Sequence, residues 1–356
     1  MSTDSEVIDA ALGDDVADAH AEVGIQQASQ AQKKPRAVEE SLPPSVAASE
    51  ELPRARRIVG EASQIIFGVM RDVRQGTPVS FDRVEPVVER ITESVLRNNG
   101  ALLSLARAKN KDNYTYMHSV SVCALLVCFG RALGMRRDDL HQLGIGGMLH
   151  DIGKFTIPDR ILNKPGRLTD EEFSEMKTHA GQSRRMLSET QGISERVIAI
   201  AAEHHERRDG SGYPDGLKGE AISPMGQMAA ICDVYDAITS DRVYRKAIPP
   251  TEALSKIFEW SKFHFNADLV QTFLRTIGIY PVGSLVMLES GRLAVVLEQT
   301  PNSLLTPCVR IVFHARNNHY IPREDVDLSR TLGGGGDRIV AHEAPEKWKI
   351  DPMRFL

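Results

Sequence analysis

The chain has 356 residues, 42% of them hydrophobic, with a formal net charge of -5 and a pI near 6.1. That length allows one large core or two ordinary domains, and the weak acidic balance excludes the global basic field that non-specific DNA or RNA binding requires. The four cysteines, Cys123, Cys128, Cys232 and Cys308, lie among apolar neighbours without CxxC spacing, which argues for a reduced, cytoplasmic chain rather than a disulfide framework.

Residues 1–55 hold eleven Asp/Glu against four Lys/Arg, four prolines and no aromatic residue. Such a stretch buries too little apolar area to offset its ordering entropy, so it is expected to be disordered apart from a short helix near 8–25. Asp4, Glu6, Asp9, Asp14, Asp15 and Asp18 stand where a secretory leader carries lysines and an apolar run, so no export signal is expected.

From residue 56 to about 110 the spacing becomes helical. Ile65, Ile66, Val69 and Met70, then Val84, Val87, Val88, Ile91 and Val95, recur at intervals of three and four and predict a helical lead-in. The apolar stretch 120–130 is shorter than the roughly 20 residues that cross a bilayer and is followed by Arg131. It predicts a buried helix and no membrane association.

Over 111–279 the helix punctuation is legible. Thr169 with Glu172 reads as a capping box and Ser223-Pro224 as an N-cap and first helical residue, while Ser194 and Thr251 are further cap candidates. The fold class expected is mainly α, a helical bundle. After Tyr280 the period shortens to β-like runs at 285–288, 293–297 and 308–314, predicting a small β-rich appendage over 280–330. Gly333 to Gly336 lack the strand and Lys-Ser/Thr of a phosphate loop and read as a linker within a flexible tail, 331–356.

The chemistry concentrates in the bundle. Of eleven histidines, His118, His150, His179, His204 and His205 fall near predicted helix ends or on apolar faces, with Asp151 and Asp233 in the same segments. A single histidine on such a helix is usually a satisfied core or surface residue, but this clustering points to metal ligation. The pair His150-Asp151 closes the helix that starts near Asp138, with Gly153 expected as its terminator. Imidazole nitrogen and carboxylate oxygen suit iron, manganese, zinc or nickel, and Asp151 is the natural bridge between two cations. Adjacent residues on a helix point about 100° apart, so His204 and His205 can serve different cations or different shells. Bundle cores commonly house such dinuclear centres.

The run His150-Asp151-Ile152-Gly153-Lys154 and the run from His204-His205-Glu206 through Asp209-Gly210-Ser211-Gly212-Tyr213-Pro214 closely resemble the two signatures of the HD-GYP family, HDxGK and HHExxDGxGYP. Segments 112–118, 161–168 and 233–240 resemble it as well, so the likeness covers about 95–278. The resemblance implies a metal-dependent phosphodiesterase that hydrolyses cyclic di-GMP to pGpG or GMP by attack of a metal-bridging hydroxide. Its ligands would be His118, His150, Asp151, His179, His204, His205 and Asp233, holding two divalent ions, Fe or Mn ahead of Zn and Ni. Some members hold a third metal through a glutamate one turn before the first histidine; Tyr114 stands there, so two are expected.

Asp151 and Lys154 would be the catalytic groups, with the Lys154 ammonium stabilising charge on the phosphoryl oxygens; the alternative is a surface lysine. Arg242 and Arg245 would bind substrate phosphate or guanine, against a solvated basic turn. Asp236 would orient a ligand, against a plain helix-surface carboxylate. The loop Asp209, Gly210, Gly212, Tyr213 and Pro214 reads locally as a connector, and the resemblance implies that it shapes the site or docks a diguanylate cyclase or other signalling protein. Near the end of the bundle, Phe265-Asn266-Ala267 replaces the family's Phe-Asp-Pro, and Asn266 still caps the next helix. A homodimer is left open. Two other readings stand beside the enzyme: a catalytically weak cyclic di-GMP receptor, and a phosphohydrolase for another cyclic dinucleotide.

Overall fold

The computed structural model describes residues 43–107, 114–164, 166–240, 247–300, 303–330 and 336–356. Among the described residues three lead-in helices come first, α1 (Ala48–Arg74), α2 (Phe81–Arg97) and α3 (Asn99–Arg107). The apolar positions read at three-and-four spacing on α1 and α2 are buried apart from half-buried Ile65, with Val84, Val87, Val88, Ile91 and Val95 at 0% exposure. Their faces close over α4 (Tyr114–Ala132), which also packs against α5 (Arg137–Leu149) and α9 (Pro224–Ile238). By length and composition α4 could cross a bilayer, but 78% of its apolar window is buried among the other helices. A helix apolar on all sides is what the centre of a bundle requires.

Beyond α5 the chain makes a 3-10 turn (Ile152–Thr156), then α6 (Asp159–Leu162), α7 (Asp170–Ser188), α8 (Glu195–Glu203), α9, α10 (Pro250–Trp260) and α11 (Ala267–Ile277). The Thr169–Glu172 capping box forms, and Ser194, Ser223 and Asn266 accept from the backbone of α8, α9 and α11. Thr251 does not cap. α10 begins at Pro250 after Pro249, because proline at the first helical position needs no side-chain acceptor for a missing N–H.

The C-terminal sheet is antiparallel in the order β4-β3-β2-β1-β5, with β1 (Leu285–Leu288), β2 (Arg292–Thr300), β3 (Ser303–His314), β4 (His319–Asp327) and β5 (Ile339–His342). Both faces are apolar: Leu285, Leu293 and Val295 on one, Val286, Ala294 and Val296 on the other. β4 escaped the sequence reading because it is a polar, mostly exposed edge strand that contains Pro322, a residue tolerated where no ladder partner is needed.

Two boundaries differ from expectation. The segment expected to be disordered through residue 55 is helical from Ala48, because Leu52 and Ala55 pack into the core and buried Glu51 accepts from Ser94 Oγ (2.8 Å) and Arg97 Nε (2.7 Å). The expected helix at 8–25 lies outside the described residues, as do Gly333 to Gly335. The tail after residue 335 carries regular structure: β5 pairs with β1, and Ile350 and Phe355 cover the face of Leu285 and Leu293, joined by α12 (Pro345–Trp348) through Trp348. A sheet with two apolar faces needs that cover, a demand of tertiary packing rather than of local pattern.

Candidate metal centre

Five helix segments deliver the ligand candidates to one place. His118 lies in the second turn of α4, His150 caps the C-terminus of α5 with Asp151 next, His179 is on α7, His204 caps the C-terminus of α8 with His205 next, and Asp233 is on α9. All are buried except His205, which is half-buried. Gly153 does not terminate α5 by a left-handed turn. A Cβ there would lie 2.2 Å from His179 O and 2.6 Å from Ser183 N, so glycine lets the turn after Asp151 press against the backbone of α7.

The two oxygens of Asp151 face different imidazoles. Oδ2 lies 3.1 Å from His150 Nε2 and 3.4 Å from His118 Nε2, whereas Oδ1 lies 3.5 Å from both His179 Nε2 and His204 Nε2. Asp233 Oδ1 adds to the first group, 3.0 Å from His118 Nε2 and 3.8 Å from His150 Nε2. His205 Nε2 adds to the second, 3.1 Å from His179 Nε2. The result is two groups of potential ligand atoms, His118, His150 and Asp151 in one and Asp151, His179, His204 and His205 in the other, each within 4.8 Å and sharing one carboxylate.

The outer nitrogens explain how the rings are held. The Nδ1 atoms of His150, His179 and His204 donate to the carbonyls of Gly147 (2.8 Å), Met176 (2.7 Å) and Ala201 (2.9 Å), and His118 Nδ1 donates to Asp236 Oδ2 (2.7 Å). At His150, His179 and His204 each Nε2 is therefore left as a bare lone pair turned inward, the tautomer a metal ligand needs. His150 Nε2, His204 Nε2 and Asp151 Oδ1 are buried without a hydrogen-bond partner. Polar atoms in that state are costly unless something binds them, and a divalent cation fits this nitrogen and oxygen set.

Electrostatics agree. Burial together with the Lys154 charge pulls the His179 imidazole down to about 3, and burial with His204 and His179 alongside holds His205 well below its ordinary value, so both stay neutral. Burial opposes ionisation of Asp151, but His150, Lys154 and His118 hold it far below the usual carboxylate range. Burial likewise opposes a charged His118, yet Asp151, Asp233 and Asp236 push it well above its ordinary value: three carboxylates around one ring make a place that demands positive charge.

Lys154 is 3% exposed, with Nζ 2.8 Å from Asp151 Oδ2, which rules out the surface-lysine alternative. Asp236 is likewise buried and not a surface carboxylate. Arg242 and Arg245 lie outside the described residues. In the 209–214 loop, Asp209 is exposed, accepts from Ser211 and pairs with His264 at 3.2 Å, while Tyr213 turns inward onto His205. Gly210 takes φ +85°, a conformation glycine adopts without strain. Pro214 is exposed. Glu206, which the sequence reading passed over, is buried at the root of this loop; a charged residue inside a helix-end signature was its one signal.

Asp236→Ala removes the carboxylate that His118 Nδ1 meets at 2.7 Å. Affinity for a divalent cation is expected to fall about 10–100-fold, read by manganese titration of metal-free protein; wild-type affinity would mean that the carboxylate does not orient the ring.

Residues 96–269 match the HD domain family. The chain is similar to a cyclic di-GMP phosphodiesterase of Pseudomonas aeruginosa, with 47% identity over 308 residues, 86% of this chain and 74% of the relative. It is also similar to the cyclic di-GMP phosphodiesterase response regulator RpfG of Xanthomonas campestris, with 39% identity over 183 residues, 50% of this chain and 48% of that one. A solved structure, a HDG"Y"P protein from Bdellovibrio bacteriovorus, shares the fold at a TM-score of 0.54 and 20% identity, over 63% of this chain and 71% of its own.

Proposed function

Because the chain belongs to the HD-GYP family of HD domain phosphodiesterases, we propose that it hydrolyses cyclic di-GMP to pGpG or GMP in a dinuclear site built on Asp151. The observation that carries this reading is the division of the Asp151 carboxylate, one oxygen toward His118 and His150 and the other toward His179 and His204. We assign the seven candidates His118, His150, Asp151, His179, His204, His205 and Asp233 as ligands of two cations, iron or manganese. Tyr114, at the position of a third-metal glutamate in some family members, keeps the number at two. Cations bound there supply an activated water and neutralise phosphate charge.

The chain's own groups do the rest. Buried carboxylates and neutral imidazoles exclude bulk water and favour positive charge. Lys154 has three N–H donors, so it can keep Asp151 and also reach a phosphoryl oxygen as negative charge develops there. Arg242 and Arg245 follow the α9 segment and are the cations we assign to the second phosphate or a guanine edge. Net reaction adds water across one P–O3′ bond, leaving a 5′-phosphate and a free 3′-hydroxyl; repetition on pGpG yields GMP. The catalytic unit is 111–279, led in by 56–110. The exposed side of the loop, at Asp209 and Pro214, is the face we assign to a diguanylate cyclase or other signalling partner.

Protein purified without air is expected to carry two iron or manganese ions per chain by elemental analysis and to turn over cyclic di-GMP faster than cyclic GMP-AMP or a generic phosphodiester. Fully metallated protein that binds cyclic di-GMP but leaves it intact would make the chain a receptor. Preference for cyclic GMP-AMP would move it to another substrate class.

A further inference from the structure

Four of the five clustered imidazoles are fixed through Nδ1 to an oxygen at hydrogen-bonding distance. His205 is the exception: the acceptor facing its Nδ1 is Asp233 Oδ2 at 3.9 Å, too far for a hydrogen bond. Tyr213 stacks on the His205 ring at 4.7 Å between centroids with planes 29° apart, and the His204 ring lies tilted against the same ring at 4.0 Å. Tyr213 also packs against a small apolar cluster that includes Ile157, Ile161 and Phe173. Tyr213 thus touches both that cluster and His205.

The backbone is built to keep it there. Tyr213 N donates to His205 O at 3.2 Å, and Gly212 sits so close to the end of α8 that a Cβ would lie 2.5 Å from Arg207 N and Glu206 Cα. Glu206, 2% exposed, gathers three successive amides of the returning loop: Asp215 N (2.8 Å) and Gly216 N (3.1 Å) donate to Oε1, and Leu217 N (2.9 Å) donates to Oε2. Gly216 at φ +65° lets the three N–H groups converge on one anion.

We infer that Tyr213 is a positioning residue whose ring, rather than a hydrogen bond, aims the His205 imidazole into the group shared with Asp151, His179 and His204, and that the Glu206 carboxylate holds the loop that carries it. This rests on the two-cation reading above. Ring stacking substitutes here for the oxygen that normally fixes a ligating imidazole.

The test is manganese titration of anaerobic, metal-free protein, with folding of each variant checked by circular dichroism. Tyr213→Phe keeps the ring and should bind two equivalents as the wild type does. Tyr213→Leu keeps apolar volume in the small cluster but removes the stack; one of the two equivalents should weaken about 10–100-fold while the other is unchanged. Glu206→Gln should weaken the same equivalent, since an amide offers one acceptor oxygen to three donors. Two equivalents at wild-type affinity in both Tyr213→Leu and Glu206→Gln would overturn the inference, as would Tyr213→Phe binding as poorly as Tyr213→Leu. Asp151→Ala run alongside keeps the two ideas apart: if it retained both equivalents, the two-cation reading itself would fail.

Discussion

Replacing Asp151 with alanine is expected to strip both metals and abolish turnover together. This carboxylate faces two separate pairs of imidazoles, one through each oxygen, so its loss disables both groups at once. Metal-derived stabilisation of a phosphoryl transition state is worth several kcal/mol, and at about 1.4 kcal/mol per tenfold the fall in kcat should be about 10³-fold or more. Alanine also removes the Asp151 carboxylate from the buried Lys154 ammonium, 2.8 Å away, which should lower stability as well. Asp151→Asn separates the effects, because the amide keeps an acceptor oxygen for Lys154 but carries no charge to bridge cations. That variant should fold, melt close to the wild type without metal, and still be inactive and metal-poor. Normal metal stoichiometry with normal turnover in Asp151→Asn would show that Asp151 is no ligand.

Gly153→Ala is expected to be the most damaging change that adds a single methyl group. The new Cβ would meet His179 O at 2.2 Å and Ser183 N at 2.6 Å, backbone atoms of α7 that cannot rotate away. The 3-10 turn must then lift off α7, breaking the Gly153 N to Ser183 Oγ hydrogen bond of 2.9 Å and drawing Asp151 and Lys154 away from His179. Overpacking of this kind costs about 2 kcal/mol or more, a melting shift of about 4–8 °C in a bundle of this size, and metal affinity should fall with it. Gly181→Ala, on the same helix α7 with open space around it, is the control: it should be neutral or stabilising by up to about 1 kcal/mol. Calorimetry with manganese titration compares the two, and equal behaviour would mean that the turn adjusts without moving the site.

Much of the site was legible along the chain because two of its ligand pairs, His150-Asp151 and His204-His205, close helices, and helix boundaries announce themselves. Thr169 with Glu172, Ser194 and Ser223-Pro224 mark where α7, α8 and α9 start, and counting along the apolar faces from those starts places His179, His204 and Asp233. Asp236 was within reach as a carboxylate one turn past Asp233, though its partner, His118, stands 118 residues away. Glu206 and the inward turn of Tyr213 were not within reach. Their contacts depend on how a loop folds back, and glycine-rich spacing alone is equally compatible with an exposed connector. The elements of 336–356 were out of reach for a related reason: that stretch has no strong period, and Ile350 and Phe355 are placed by covering an apolar sheet face assembled from other strands.

Local chemistry alone marked the bundle's helical segments, where α7, α8 and α9 begin, and that His150-Asp151 and His204-His205 close helices, because caps and apolar periodicity act over a few residues. Only the packed structure decided which Asp151 oxygen faces which histidines, which ring nitrogen carries the proton, and why Gly153 must be glycine. Those are distances of about 3 Å between atoms far apart along the chain, set by how whole helices seat against one another rather than by the residues on either side.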